Sequence, residues 1–78
     1  MNGVNDEDRI WLKQFGDRLK RLIHIEGMTQ AELAKKIGID PSRLSKYVTG
    51  THAPDAYMLH RIANALDCDV KTLFDETF

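Results

Sequence analysis

The residues that could bind a metal ion or act as a nucleophile are few in this chain and lie far apart. The histidines are His24, His52 and His60, and Cys68 is the one cysteine. No two of them have the close spacing that zinc ligands usually show. A thiol–imidazole pair of Cys68 and His60 would lack a third group to orient it. These residues therefore predict neither a metal site nor covalent catalysis.

A second set of polar residues suits a different chemistry, because it mixes cations with small hydroxylic side chains. Its members are Ser42, Arg43, Ser45, Lys46 and Thr49. On a helix that packs through its apolar residues this set points outward, and such a face can enter the major groove of DNA without steric conflict. The alternative is a helix face that contacts only water, although such a face more often carries paired Glu and Lys residues.

The element before this set is also predicted to be helical. Thr29 followed by Glu32 forms a capping box, which predicts helix 2 over Gln30–Ile37. Gly38 can take a left-handed conformation without steric cost and ends this helix. The spacing therefore predicts two short helices joined by a tight turn.

Capping residues also predict the bounds of helices 3 and 1. Asp40 is a strong N-cap and Pro41 suits the first helical position, so helix 3 is expected over about residues 41–48. Asn5 precedes an acidic first turn and an apolar stripe, which predict helix 1 over about residues 6–26.

The remainder of the chain completes an all-α pattern. Asp55 caps helix 4, expected over about residues 56–66, and Asp69 precedes a short helix 5. The apolar residues expected in helix 5 are Val70, Leu73 and Phe74. Sustained alternation of apolar and polar residues, the signal for strands, is absent. We therefore expect a compact five-helix domain in which helices 2 and 3 form a helix-turn-helix.

Charge is segregated along the chain, although the formal net charge is only -1. Residues 1–8 carry three acids and no base, residues 9–50 nine bases and four acids, and residues 51–78 two bases and five acids. A basic middle can present one positive face to a polyanion, but surface solvation alone produces similar counts. We expect an acidic segment at 1–8 leading into helix 1, a domain over 9–75 and a tail at 76–78.

Size and composition exclude several classes of protein. The 78 residues, 42% hydrophobic and 29% charged, fit one small soluble domain. A lone cysteine excludes an intrachain disulfide, and no apolar run suits a transmembrane helix or a signal peptide, so a cytoplasmic protein is expected. A cleft and a core would compete for these few residues, so we expect no elaborate enzyme, cofactor or small-molecule substrate.

Residues 28–39, MTQAELAKKIGI, resemble the start of the helix-turn-helix in lambda-repressor/Cro-like domains, often called XRE-type. Residues 15–20, FGDRLK, are similar to the family's first helix. The residues that match its downstream pattern are Gly50, Pro54, Leu59, Ile62–Leu66 and Val70–Phe74. The resemblance covers about residues 15–75. It implies a five-helix, lambda-repressor-like DNA-binding domain, usually dimeric on palindromic operators and usually a transcriptional regulator.

The resemblance implies roles for the outward residues of helix 3. Those placed to read base edges are Pro41, Ser42, Ser45 and Lys46. Lys46 can donate to guanine O6 and N7. Pro41 departs from the family pattern, because it lacks a polar side chain and offers only apolar contact, for instance to a thymine methyl. The operator sequence therefore stays open.

The resemblance also implies phosphate or mixed contacts, at Thr29, Gln30, Arg43 and Thr49. Gln30 opens helix 2, where the helix N-terminus favours a phosphate. For Arg43, a phosphate, a base or plain solvent are equal alternatives. The loop at 51–54 departs from many relatives, since His52 stands where they carry Lys or Arg. Fewer phosphate contacts would weaken binding and reduce its salt dependence.

These inferences predict a sequence-specific regulator of double-stranded DNA, acting as a repressor and binding as a homodimer with helix 3 in the major groove. The alternative is a protein-interaction module, such as an antitoxin or a small cofactor of another DNA-bound protein, which the acidic ends favour. Ile10, Trp11 and Leu12 cannot all face one core, although Trp11 is expected to join Phe15. With Phe78 they form either a self-association or partner surface, or ordinary exposed apolar residues.

Overall fold

Helix boundaries follow the capping residues in the computed structural model, which describes residues 5–75. The elements in order are α1 (Asp6–Ile25), α2 (Gln30–Ile37), α3 (Pro41–Val48), α4 (Ala56–Ala65) and a 3-10 helix (Val70–Phe74). A side-chain oxygen caps each α-helix, and the capping residues are Asn5, Thr29, Asp40 and Asp55. No strand occurs in the described part of the chain, so the all-α prediction is confirmed.

The predicted count of five helices is not confirmed, because the structure has four α-helices within residues 5–75 and its last element is a short 3-10 helix. The side chain of Asp69 precedes this element but makes no capping hydrogen bond to it. The backbone N–H groups of Thr72 and Asp75 donate to carbonyls three residues back, at 2.9 and 3.2 Å. A segment of five residues offers too few bonds to offset the nucleation of an α-helix, so the tighter turn forms. Across the described helices, none is long and apolar enough to cross a membrane.

One hydrophobic core joins the elements and holds α2 against α3. Its buried members are Phe15, Leu19, Leu22, Ile23, Leu33, Ala34, Ile37, Leu44, Tyr47, Val48, Met58, Ile62, Ala63, Ala65, Leu66 and Leu73. Leu33 of α2 and Leu44 of α3 are both completely buried, so the two helices share this core. Displacing either helix would expose apolar surface, at a cost of about 25 cal/mol per Å².

The C-terminal end of α3 is fixed by a close approach to the backbone of α1. A Cβ added at Gly16 of α1 would lie 2.8 Å from the carbonyl carbon of Val48 and 2.9 Å from the carbonyl oxygen of Tyr47. Gly50 follows α3 with φ +78°, and a Cβ there would lie 2.9 Å from Cα of Lys13. Because only glycine permits both approaches, these two residues set the distance between the helices.

Two of the cations counted in the basic middle of the sequence have structural roles. Arg18 is only 6% exposed, and its Nη1 donates to the carbonyl of Leu73 at 3.0 Å, which links α1 to the 3-10 helix. Nζ of Lys36 donates to the carbonyl of Ala65 at 3.1 Å, at the end of α4 where carbonyls lack helical partners. The basic face of the molecule is therefore smaller than the sequence indicates.

An aromatic cluster joins α1 to the 3-10 helix on the outside of the core. Trp11 stacks on Phe15 with ring centroids 5.8 Å apart, as predicted, and on Phe74 at 6.1 Å. Trp11 and Phe74 remain 45% and 40% exposed, and the neighbouring Ile10 is 59% exposed. The cluster is thus both a joint between elements and an apolar surface patch. Phe78, which the sequence left as one alternative contributor to such a surface, lies outside the described residues.

Candidate nucleic-acid interface

The turn between α2 and α3 is held by local hydrogen bonds and one left-handed glycine. Gly38 has φ 73° and ψ 32°, and the N–H of Ile39 donates to the carbonyl of Ala34 at 3.0 Å. Such bonds pair the last carbonyls of α2 with donors from the turn. Ile39 packs against the core, so the direction in which α3 leaves the turn is fixed.

The N-terminus of α2 is closed by the predicted capping box. The N–H of Thr29 donates to Oε1 of Glu32 at 2.9 Å, and the N–H of Glu32 donates to Oγ1 of Thr29 at 3.1 Å. The Thr29 oxygen is thus engaged in the cap, while its hydroxyl hydrogen can still be donated. Gln30 is half-buried at the first position of α2, where the helix dipole favours an anion. This end of the helix suits a phosphate oxygen.

At the start of α3, a short network fixes the hydroxyl of Ser42. Its Oγ donates to Oδ1 of Asp40 at 2.7 Å, and its backbone N–H donates to the same oxygen at 2.9 Å. The hydrogen bond from the hydroxyl, followed by that from the N–H, lowers the pKa of the Asp40 carboxyl. Because the Ser42 hydrogen is used internally, its oxygen is free to accept a bond from a base amino group.

Arg43 is held by a neighbour one helical turn along α3. Its Nε donates to the hydroxyl of Tyr47 at 2.9 Å, and its Cζ lies 6.0 Å from the centre of the Tyr47 ring. Tyr47 itself is a core residue, only 4% exposed. The sequence pattern left the role of Arg43 open and gave no indication of this bond.

The other predicted contact residues of α3 differ in exposure. Pro41, Lys46 and Thr49 are exposed, whereas Ser45 is half-buried and offers less surface to a ligand than the sequence pattern indicates. Oγ1 of Thr49 lies 3.0 Å from Oγ1 of Thr51, so the two hydroxyls form a pair just beyond the helix. Cationic and hydroxylic groups therefore extend from α3 into the loop that follows.

Two cations of α1 that the sequence analysis missed lie beside this loop. Arg9 and Lys13 line an open hollow together with Thr49 and Thr51. Nζ of Lys13 is 3.5 Å from Oδ1 of Asp17, but both groups are well exposed, so this ion pair is weak. The spacing of Arg9 and Lys13, one helical turn, was the only sequence signal, and it did not indicate which element they would adjoin.

The structure also describes the residues that were considered for metal binding and for covalent chemistry. Among the described residues, no group of three His, Cys, Asp or Glu side chains is placed to hold a metal ion. Burial raises the pKa of the Cys68 thiol, and the nearby Asp69, Glu26 and Asp67 raise it further. A higher pKa leaves less thiolate, which is the nucleophilic form.

Comparison with known proteins agrees with this reading of the fold. A helix-turn-helix family model matches residues 19–73, which include α2, the turn and α3. The chain is 36% identical over 55 residues to the HTH-type transcriptional regulators for the conjugative elements R391 of Providencia rettgeri, SXT of Vibrio cholerae and pMERPH of Shewanella putrefaciens. The match includes 70% of this chain and 25% of each relative, so the chain spans about a quarter of their length.

A solved structure shows the same arrangement of helices. The crystal structure of the restriction-modification controller protein C.AhdI from Aeromonas hydrophila matches with a TM-score of 0.78 and 32% identity. The match covers 81% of this chain and 96% of that chain. The resemblance that the sequence motifs indicated is thereby confirmed. The chain belongs to the XRE-type helix-turn-helix family of DNA-binding transcriptional regulators.

Proposed function

We propose that this protein is a sequence-specific regulator that represses transcription by binding a palindromic operator in double-stranded DNA as a homodimer. In this proposal α3 of each copy enters the major groove, in the cytoplasm and without a cofactor. The DNA-binding unit is the domain over residues 9–75, preceded by the acidic segment 1–8 and followed by the tail 76–78. The observation that carries the proposal is the outward face of α3, which bears hydroxyls and cations and has no acid in its first turn.

Base readout is assigned to the exposed residues along α3. They are Pro41, Ser42, Lys46 and, with its smaller exposed surface, Ser45. Lys46 supplies a donor for guanine O6 or N7. The orientation of the Ser42 hydroxyl toward Asp40 leaves an acceptor, which suits the amino group of cytosine or adenine.

Phosphate contacts are assigned to the rim of this face. Thr29 and Gln30 at the N-terminus of α2, with Thr49 beyond α3, are the residues that the family pattern places there. Arg9 and Lys13 are added because they adjoin the threonine pair after α3. They would supply part of the charge that the loop at 51–54 lacks, and each additional phosphate contact increases the salt dependence of binding by about 0.9 in the log–log slope.

The size of the molecule is compatible with the proposed dimer. Its principal dimensions are 34 × 28 × 19 Å. Helix-turn-helix dimers place their recognition helices about 34 Å apart, one turn of the DNA. Two copies side by side would therefore fit successive major grooves on one face of the duplex.

The experiment that tests the proposal is selection of bound duplexes from a random-sequence library, followed by titration of the selected and a scrambled duplex at two salt concentrations. We expect a palindromic consensus and preferential binding of the selected duplex. Lys46→Ala should weaken binding to that duplex by about tenfold and remove the preference at one position of each half-site, because a donor to a base edge is lost.

Lys71→Ala is the matched control. Lys71 is an exposed lysine of the 3-10 helix, so its replacement by alanine removes the same charge at a site away from α3. It should leave the consensus unchanged. Absence of enrichment by protein shown to be folded would contradict the proposed function. An unchanged consensus with both Lys46→Ala and Ser42→Ala would contradict the assignment of base readout.

The exposed aromatic cluster favours a second candidate function, a protein-interaction module such as an antitoxin or a small cofactor of another DNA-bound protein. Trp11, Phe74 and Ile10 present apolar side chains to solvent, and such patches often mark association surfaces. Trp11 is the single tryptophan, so its fluorescence reports burial of this patch. A blue shift with increasing protein concentration and a doubled mass in light scattering would show that the patch is buried between two copies of this chain and would contradict its use for another protein. A constant spectrum in a dimer would leave the patch free for a partner protein and support the second candidate.

A further inference from the structure

We propose that Arg43 reads a guanine in each half-site and that Tyr47 positions the Arg43 side chain for this contact. The inference rests on the proposed function, because it names a specificity-determining pair within the same interface. The sequence left a phosphate, a base and plain solvent as equal alternatives for Arg43, and the inference selects the base.

The geometry restrains Arg43 through two contacts, both with the side chain of Tyr47. Nε of Arg43 donates to the Tyr47 hydroxyl at 2.9 Å, and the guanidinium carbon lies 6.0 Å from the ring centre. The Tyr47 ring is buried in the core, so its hydroxyl has a fixed position relative to the whole fold. Arg43 is thereby held by the core although its own side chain is exposed.

The donors that remain on Arg43 match guanine. With Nε engaged, both terminal Nη groups are available, and they lie side by side in one plane. Guanine presents two acceptors, O6 and N7, at the edge of the major groove, which a guanidinium contacts in a bidentate manner. A side chain that is already ordered loses less conformational entropy on binding than a free arginine does.

The position of Arg43 in the first turn of α3 favours a base over a phosphate. The bond from Arg43 to Tyr47 joins residues four apart, so the guanidinium lies along α3 rather than extending away from it. Residues near the start of a recognition helix face base edges, whereas the groove walls carry the phosphates. Asp40, the nearest acid before it on this element, has its carboxylate engaged by Ser42, and Lys46 adds positive charge one turn along.

A double-mutant cycle on the full chain tests the proposal. Arg43→Ala, Tyr47→Phe and the double variant are each assayed by library selection and by titration of the selected and scrambled duplexes at two salt concentrations. Tyr57→Phe is the matched control, because Tyr57 also pairs with an arginine four residues away, Arg61 at 5.8 Å, but is two-thirds exposed on α4. A thermal melt of each variant confirms that it is folded.

We expect Arg43→Ala to weaken binding to the selected duplex about tenfold or more and to remove a preference for guanine at one position of each half-site. Tyr47→Phe should weaken binding about two- to tenfold, relax the same position and have no further effect when Arg43 is already alanine. Tyr57→Phe should change neither quantity. The Nε–H signal of Arg43 in NMR should be sharp in the wild type and broadened in Tyr47→Phe, because the hydroxyl that restrains it is removed.

Two results would overturn the inference while leaving the proposed function intact. One is a wild-type consensus that Arg43→Ala leaves unchanged, with selected and scrambled duplexes weakened equally and the salt slope reduced by about 0.9, as a phosphate contact requires. The other is a Tyr47→Phe effect that persists undiminished in the Arg43→Ala background, which would mark Tyr47 as purely structural. A wild type that selects no sequence would overturn the proposed function, and the inference with it.

Discussion

The two ends of α3 are each marked by a glycine in the left-handed conformation, but the surroundings of the two residues are opposite. Gly38, before the helix, has φ +73°, and a Cβ there would meet nothing within 4 Å. Gly50, after the helix, has φ +78°, and a Cβ there would lie 2.9 Å from two backbone atoms of Lys13. The first glycine is required by its backbone angle alone, and the second by its backbone angle and by the close approach of another helix.

This difference shows how α3 is positioned. Its start is directed by a local turn, which depends on few residues and can absorb small changes. Its end is fixed against α1 at Gly16 and Gly50, where backbone meets backbone and no side chain can move aside. The outward face between these ends carries the proposed contacts, and its residues can vary with little effect on the fold because they do not pack in the core.

The largest expected effect is that of Gly50→Ala. Left-handed strain costs about 1–2 kcal/mol and an atom forced into a packed backbone about 1–3 kcal/mol, so we expect a loss of about 2–5 kcal/mol in the free energy of unfolding. A domain of this length has a total of about 4–12 kcal/mol to lose. Urea denaturation followed by circular dichroism measures the change.

Gly38→Ala is the matched control for that substitution, because it has nearly the same φ and open space around the added methyl. It should cost only the strain, about 1–2 kcal/mol. Equal losses in the free energy of unfolding for the two variants would show that the close approach of α1 to Gly50 does not affect stability. The two ends of α3 would then differ in geometry but not in energy.

The next effect in size is that of Gly16→Ala, on the other side of the same junction. Gly16 lies in the middle of α1, where alanine is ordinarily favoured by about 0.5–1 kcal/mol. The added Cβ would instead meet the carbonyl groups of Tyr47 and Val48. We expect a net destabilisation of about 1–2 kcal/mol in the same denaturation assay, whereas a stabilised variant would show that α1 and α3 separate readily.

The bounds of the helices could be predicted from the sequence, because capping residues act on a helix end only a few residues away. The bounds predicted for α2 and α3 agree with those observed, since Thr29, Gly38 and Asp40 encode the helix ends in their own side chains or φ angles. α1 and α4 each end one residue earlier than predicted. The sequence also predicted a short helical segment after Asp69 but not that it is a 3-10 helix, because the preference for a 3-10 over an α-helix depends on a few bonds.

Contacts between distant segments could not be predicted from such local patterns. Arg18 and the carbonyl of Leu73 are bonded although they are 55 residues apart, and no spacing rule connects them. The proximity of Arg9 and Lys13 to the threonines after α3 likewise depends on how α1 crosses the end of that helix. The Arg43–Tyr47 bond is local. Whether Arg43 forms this bond or contacts only water depends on the burial of the Tyr47 ring, which is set by distant segments. The sequence therefore identified the face of α3 but not what holds its side chains.

The smallest expected effect concerns the start of α3 and its dependence on pH. The bonds that Ser42 donates keep the pKa of Asp40 below its usual value of 3.8 in the folded state. A carboxyl with a depressed folded pKa stabilises the fold fully above its unfolded pKa, and this contribution is lost as the pH falls through the folded value. Asp40→Asn retains a good N-cap but cannot titrate, so it isolates the charge.

The measurement is the difference in the free energy of unfolding between wild type and Asp40→Asn, taken by urea denaturation from neutral pH down through the acid range. We expect the wild type to be favoured at neutral pH and the difference to shrink below about pH 4, because Asp40 is then protonated first in the unfolded chain and, at lower pH, in the folded protein as well. Ser42→Ala should flatten this dependence, since the hydroxyl is the largest cause of the lowered pKa. A difference that does not vary with pH would mean that the start of α3, like the turn before it, is set by backbone conformation and not by the charge of its cap.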